Sequence, residues 1–212
     1  MLYTTQCVEM FDCCFYAFVV YLWRKNLRRG HLNIIIDDLT PCLTDKFGNQ
    51  YDTVAHRVTD VTELKGFTRK TGWFVNWTGL FKKYKIYALA LKDAPTDIQG
   101  LVAVEDRYYA GATIIHWAVS APHNNPLLCD ERRYFGVGGH LFAIALHSSI
   151  EAGFGGVVIG HPTNRKLLEH YITHLGAEAF DYSFFAENYQ YTIVLEGEKA
   201  REVYEKYTFS MD

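Results

Sequence analysis

The feature that most restricts how this chain can fold is a change of hydrophobic period near residue 130. Before it, Lys85 to Lys92 (KIYALALK), Ile98 to Glu105 (IQGLVAVE) and Ala112 to Ser120 (ATIIHWAVS) are β-rich runs separated by turn-length spacers. They predict three neighbouring strands in an antiparallel meander. After it, Val137, Leu141, Ile144 and Ala145 fall at helical spacing and predict a helix over Gly136 to Ala152, closed by the glycines of Gly153 to Gly156. Gly156 to Gly160 is a short apolar strand, and Pro162-Thr163-Asn164 opens a second helix that Gly176 stops. Ala177 to Tyr182 and Tyr189 to Glu196 read as strands, and Ala200, Val203, Tyr204 and Tyr207 mark a last helix. This order predicts an α/β fold: a central mixed, mostly antiparallel sheet flanked by helices on both faces.

The first eighty residues are less regular. Residues 8–28 read as a helix, so that 1–30 would be a helical extension and 31–212 the main domain. The apolar run Cys13 to Trp23 is 11 residues long, against the roughly 18 or more that a membrane span needs. Its basic continuation, Arg24 to Arg29, leaves a membrane-surface helix as the other reading. His31 to Leu39 holds Ile34-Ile35-Ile36 and predicts a strand, Asp37 to Asp52 is turn-rich, and Val54 to Val61 alternates weakly. The aromatic stretch from Val61 to Phe81, with Trp73, Phe74, Trp77 and Phe81, reads as core.

Composition narrows the function. With 49% apolar and 21% charged residues, the chain has the makings of a packed core and is not a disordered tract. A net charge of −3 argues against nucleic-acid binding driven by counterion release. Residues 1–100 carry net +3 and residues 101–212 net −6. Five cysteines form an odd set with no C-x-x-C spacing, which points to a reducing cytoplasm rather than a disulfide framework.

The chemistry concentrates in Arg133-Tyr134-Phe135-Gly136-Val137-Gly138-Gly139-His140, at the predicted start of a helix. Helix-start amides lack internal partners and carry partial positive charge. Glycines let a bulky anion approach them, and a nearby arginine adds a charged donor, so the turn suits a diphosphate. It is not a Walker A loop, because no Lys-Ser/Thr pair follows. It is not a dinucleotide fingerprint either, because Leu141 stands where the third glycine belongs. It does satisfy R-x-x-G-x-G.

On this motif and its strand–helix context the chain resembles the GNAT superfamily of N-acetyltransferases, over about Lys85 to Glu196. A second block, Asn164 to Gly176, is similar to the family's Asn/Tyr helix and keeps the seven-residue spacing from Asn164 to Tyr171. Leu167 replaces a small residue, one residue is added before Gly176, and Ala177 replaces an aromatic. Ala121 to Arg132 is an added loop that should lie beside the cleft, either as an acceptor-binding lip or as a surface insertion.

The resemblance implies acetyl transfer from acetyl-CoA to an amine, directly and without a covalent enzyme intermediate. Arg133, Phe135, Gly136, Val137, Gly138, Gly139 and His140 would hold the diphosphate. Backbone amides around Val119 would polarise the carbonyl, and Asn164 would bond the coenzyme arm or simply cap its helix. Tyr171 would protonate the leaving thiolate or is a core aromatic. His116 is the first candidate base or a satisfied core histidine; Glu105 and His123 are the others. His170 and His174 lie one turn apart but have no third ligand, so no metal is expected. Cys129 reads as a bystander thiol. The acceptor is a small-molecule or peptide amine, and a homodimer is left open. The alternatives are a non-catalytic acyl-CoA-binding or interaction module and a generic nucleotide or sugar-phosphate binder.

Overall fold

The computed structural model describes residues 32–180, 191–207 and 209–211. The helix expected over 8–28 and the basic cluster at its end lie outside the described residues, as do 181–190, which hold the end of the strand expected over Ala177 to Tyr182 and the start of the one expected over Tyr189 to Glu196. Ten strands and four α-helices are described. In chain order the strands are β1 (Leu43–Thr44), β2 (Gln50–Tyr51), β3 (Thr53–Arg57), β4 (Lys85–Leu91), β5 (Ala94–Arg107), β6 (Ala112–Ser120), β7 (Val158–Gly160), β8 (Glu178–Phe180), β9 (Thr192–Leu195) and β10 (Phe209–Met211). The helices are α1 (Trp77–Phe81), α2 (Val137–Glu151), α3 (Arg165–Leu175) and α4 (Gly197–Lys206).

Eight strands form one mixed sheet in the order β10-β3-β4-β5-β6-β7-β9-β8. Only the β10–β3 and β6–β7 pairs are parallel. Side chains alternate between the faces of each strand, and the sheet has a core on each side. Tyr87, Leu89, Val102 and Val104 face α2, α3 and α4, whereas Ile86, Ala88, Leu101 and Ala103 face Leu64, Trp73 and Trp77. The aromatic stretch is therefore core, held by short 3-10 turns and α1 rather than by one long element. The mixed α/β class with helices on both faces is what the sequence predicts.

α2 runs down the centre of the first face, with Val137 to Leu146 all buried. α3 begins at a side-chain cap: the Asn164 Oδ1 accepts from the Leu167 amide at 3.0 Å. It ends at Gly176 with φ +65°, and it buries Leu167, Tyr171 and Leu175, four residues apart. Among the described residues no helix is long and apolar enough to cross a membrane.

Two features shape the site. β6 carries a bulge at His116: Ala103 pairs with Trp117 and the next residue, Val104, with Ile115. β6 pairs with β7 only over Thr113 to Ile115, against Val158 to Gly160, so the two strands part at the bulge. The second feature corrects an expectation. A strand is expected over His31 to Leu39, but its described residues, 32–39, do not join the sheet as one. Among these described residues only Leu32 makes β-bridges, parallel to Ala118 of β6 and to Pro162 beyond β7. Residues 33–37 continue from it with alternating burial, Leu32, Ile34 and Ile36 turned into the core, before the chain bends at Asp38. The run of isoleucines supplies the burial of a strand, but its amides find side chains rather than a neighbouring backbone.

Candidate functional site

The split between β6 and β7 opens toward the N-terminus of α2. There Gly136 takes φ +91°, a conformation that glycine adopts without strain, and supplies no capping side chain. Beside it lies a cavity of about 500 Å³. Val137 and Gly138 line it from α2, Asn164 and Lys166 from the start of α3 and His170 from its middle, and Asn124, Asn125 and Leu127 from the added loop. The start of each helix contributes fixed partial positive charge there. Arg132 and Lys166 add full charges, and Asp37 is the acidic lining residue.

The added loop is built as a wall rather than a loose insertion. The fully buried Gln99 of β5 accepts from the Asn124 amide group at 2.9 Å and is also bonded to the His123 ring at 2.9 Å. Asn124 in turn accepts from the Tyr134 amide. Burial holds His123 below its ordinary pKa. Leu127 and Leu128 stand exposed at the rim.

The sequence-predicted residues distribute unevenly around this cavity. Val137, Gly138 and Asn164 line it. Gly136 sits at the turn, where its amide donates to the Asp37 carboxylate at 2.8 Å. Arg133 reaches away to Asp97 of β5 at 3.3 Å, and the neighbouring Arg132 lines the cavity, 2.7 Å from the other Asp37 oxygen and stacked over the Phe135 ring. Phe135 exchanges backbone hydrogen bonds with Thr44. His140 is fully buried, with Nδ1 bonded to the Gly136 carbonyl, and burial pushes its pKa down to about 4. Gly139 lies under the Tyr207 hydroxyl. Val119 is buried in the second core.

Tyr171 is fully buried, and its hydroxyl meets the backbone of Ile34. Burial raises its pKa well above the ordinary phenol range, so it stays protonated. His116 and Glu105 come together at the bulge, Nε2 to Oε2 at 2.7 Å, with the His116 ring stacked on Tyr84 at 4.0 Å. Arg107 bonds the same Glu105 oxygen at 3.0 Å. Burial works to raise the Glu105 carboxyl, but the bonds from Arg107 and His116 outweigh it and hold the carboxyl below its ordinary range. This pair does not line the cavity. Among the described residues no group of three His, Cys, Asp or Glu side chains could hold a metal ion.

Sequence reasoning missed Arg132, Lys166 and Asp37. The run Glu131-Arg132-Arg133 signals that an arginine meets the turn, but motif spacing selects the second of the two. In the sequence His170 stands out only as half of a possible metal pair with His174. In the fold its Nε2 accepts from the Ile36 amide at 2.8 Å.

No family model and no curated protein matches this chain. Solved structures similar to it include a GNAT-family acetyltransferase from Staphylococcus aureus Mu50, at 9% identity and a TM-score of 0.46. That alignment covers 68% of this chain and 99% of the other. Nourseothricin acetyltransferase is similar at 17% identity and a TM-score of 0.32, covering 52% and 62% of the two chains. Likeness this distant carries no argument about chemistry, which rests on the residues themselves.

Proposed function

We propose that this chain moves an acetyl group from acetyl-CoA to an amine acceptor by direct transfer. The observation that carries the reading is the parting of β6 from β7 at a glycine-turned helix start, beside a cavity lined by Arg132 and Lys166. The coenzyme, when bound, supplies the thioester. Arg132, Lys166 and the first turn of α2 suit its phosphates, and Asn164 offers its amide group to the arm. Tyr171 holds a proton at its hydroxyl. Glu105, kept ionised, orients His116 at the bulge where the strands part, off the cavity wall, so that a proton from the acceptor would reach it through water.

The coenzyme arm does not fit the split in the arrangement described here. Leu32 bridges the strands inside it, and the Asp37 carboxylate already accepts from the turn amide. The same observation favours a second reading, a non-catalytic acyl-CoA-binding or interaction module. Release of free CoA from acetyl-CoA, followed across a panel of amines, separates the two. Turnover with any amine supports the transferase; binding without turnover supports the module. Calorimetry with acetyl-CoA, ATP and NAD tests the ligand class, and preference for either nucleotide would overturn both.

A further inference from the structure

We infer that residues 32–37 are an internal competitor for the coenzyme site, a segment of the chain that closes the split until the ligand displaces it. The inference deepens the coenzyme reading and rests on it. Each tie of the segment that runs through a side chain is to a residue of the two blocks that would hold the coenzyme, or to an immediate neighbour. The Tyr171 hydroxyl donates to the Ile34 carbonyl at 2.8 Å and accepts from its amide at 3.1 Å. His170 accepts from the Ile36 amide. Asp37 spans Arg132 and the Gly136 amide. A Cβ on Gly138 would overlap the Ile35 carbonyl oxygen, so the segment lies directly on the helix start.

The chemistry of these ties is that of a stand-in. A carboxylate fills a place suited to phosphate, between a guanidinium and a helix-start amide. An extended backbone enters the split at Leu32, hydrogen-bonded to His161 and Thr163. Beyond Leu32 the segment is held by side chains and by burial of Ile34 and Ile36, not by a ladder of backbone bonds. It can therefore be released without breaking the sheet. A ligand whose site is closed by a competing segment binds more weakly by the fraction of molecules that stand open. Loosening any one tie should therefore strengthen binding.

The test uses the full chain and two substitutions, Asp37→Asn and His170→Phe, neither of which opens a cavity in the core. Acetyl-CoA affinity is measured by calorimetry. Hydrogen exchange is followed at the amides of Ile34 and Ile36, with β4 amides as internal reference. The expected result is at least tenfold tighter binding in each variant, and loss of protection at Ile34 and Ile36, but not in β4, when the native chain is saturated with acetyl-CoA. Binding of equal strength in all three forms, with protection unchanged, would overturn the competitor and leave the coenzyme reading standing. Binding in none of the three would overturn both.

Discussion

The hydroxyl of Tyr171 and the backbone of Ile34, 137 positions apart in the chain, satisfy each other completely: the phenol donates to the carbonyl and accepts from the amide of the same residue. Tyr171→Phe removes both bonds and leaves two buried backbone groups without this partner. The expected loss is about 1–3 kcal/mol in urea denaturation. If Tyr171 is also the acid, turnover falls in the same variant while coenzyme affinity does not. A variant as stable as the parent would mean that the pairing contributes nothing.

Gly138→Ala tests how closely residues 32–37 rest on α2. The new methyl group meets the Ile35 carbonyl, which is backbone and cannot rotate aside. A destabilisation of about 1–3 kcal/mol is expected. Gly79, also helical but with open space around it, serves as the control. Gly79→Ala should be neutral or stabilise by up to about 1 kcal/mol. Equal effects at the two positions, read from thermal unfolding, would refute the close approach.

His140 sets an acid limit on the fold. It is buried neutral with a pKa of about 4, against 6.5 for the free side chain. The unfolded chain therefore binds the proton more readily, and stability falls as pH drops from about 6.5 to about 4. The contribution is of order 3 kcal/mol over that interval. His123 and His170, both held below their ordinary range by burial, act in the same direction. Denaturation midpoints between pH 4 and 7 should show a shallower slope in His140→Leu than in the parent. Parallel slopes would return the titration to other groups.

Glu105→Gln should lower amine-dependent turnover about tenfold to a hundredfold while coenzyme affinity stays unchanged. It removes the charge that orients His116, and proton acceptance by a positioned group is worth about 10²–10⁴ in rate. Initial rates against amine concentration, alongside calorimetry, check both halves of this statement.

The sheet and its two long helices were legible because their signals are local. Short β-rich runs mark Lys85 to Leu91 and Ala112 to Ser120, and Asn164 and Gly176 bracket α3 with their own side-chain and backbone chemistry. Ile34-Ile35-Ile36 misled for the opposite reason. Its buried residues demand an extended chain, but its polar partners come from positions 132, 136, 170 and 171, which no window around it contains. β10 is three residues long and pairs with a strand some 150 positions earlier, so it has no periodicity to read. At the glycine turn the sequence located the helix start and the need for a cation, but not which of two adjacent arginines faces inward.

The bulge at His116 makes the opening in the sheet a matter of counting. β6 has one residue more than β5 across from it, and at that surplus residue its pairing with β7 ends. Beyond it, Trp117 to Ser120 keep their pairing with β5 and have none with β7, and it is on that unpaired side that Leu32 of the chain's own backbone enters. Whatever enters this protein, ligand or its own chain, owes its doorway to an extra step in one strand.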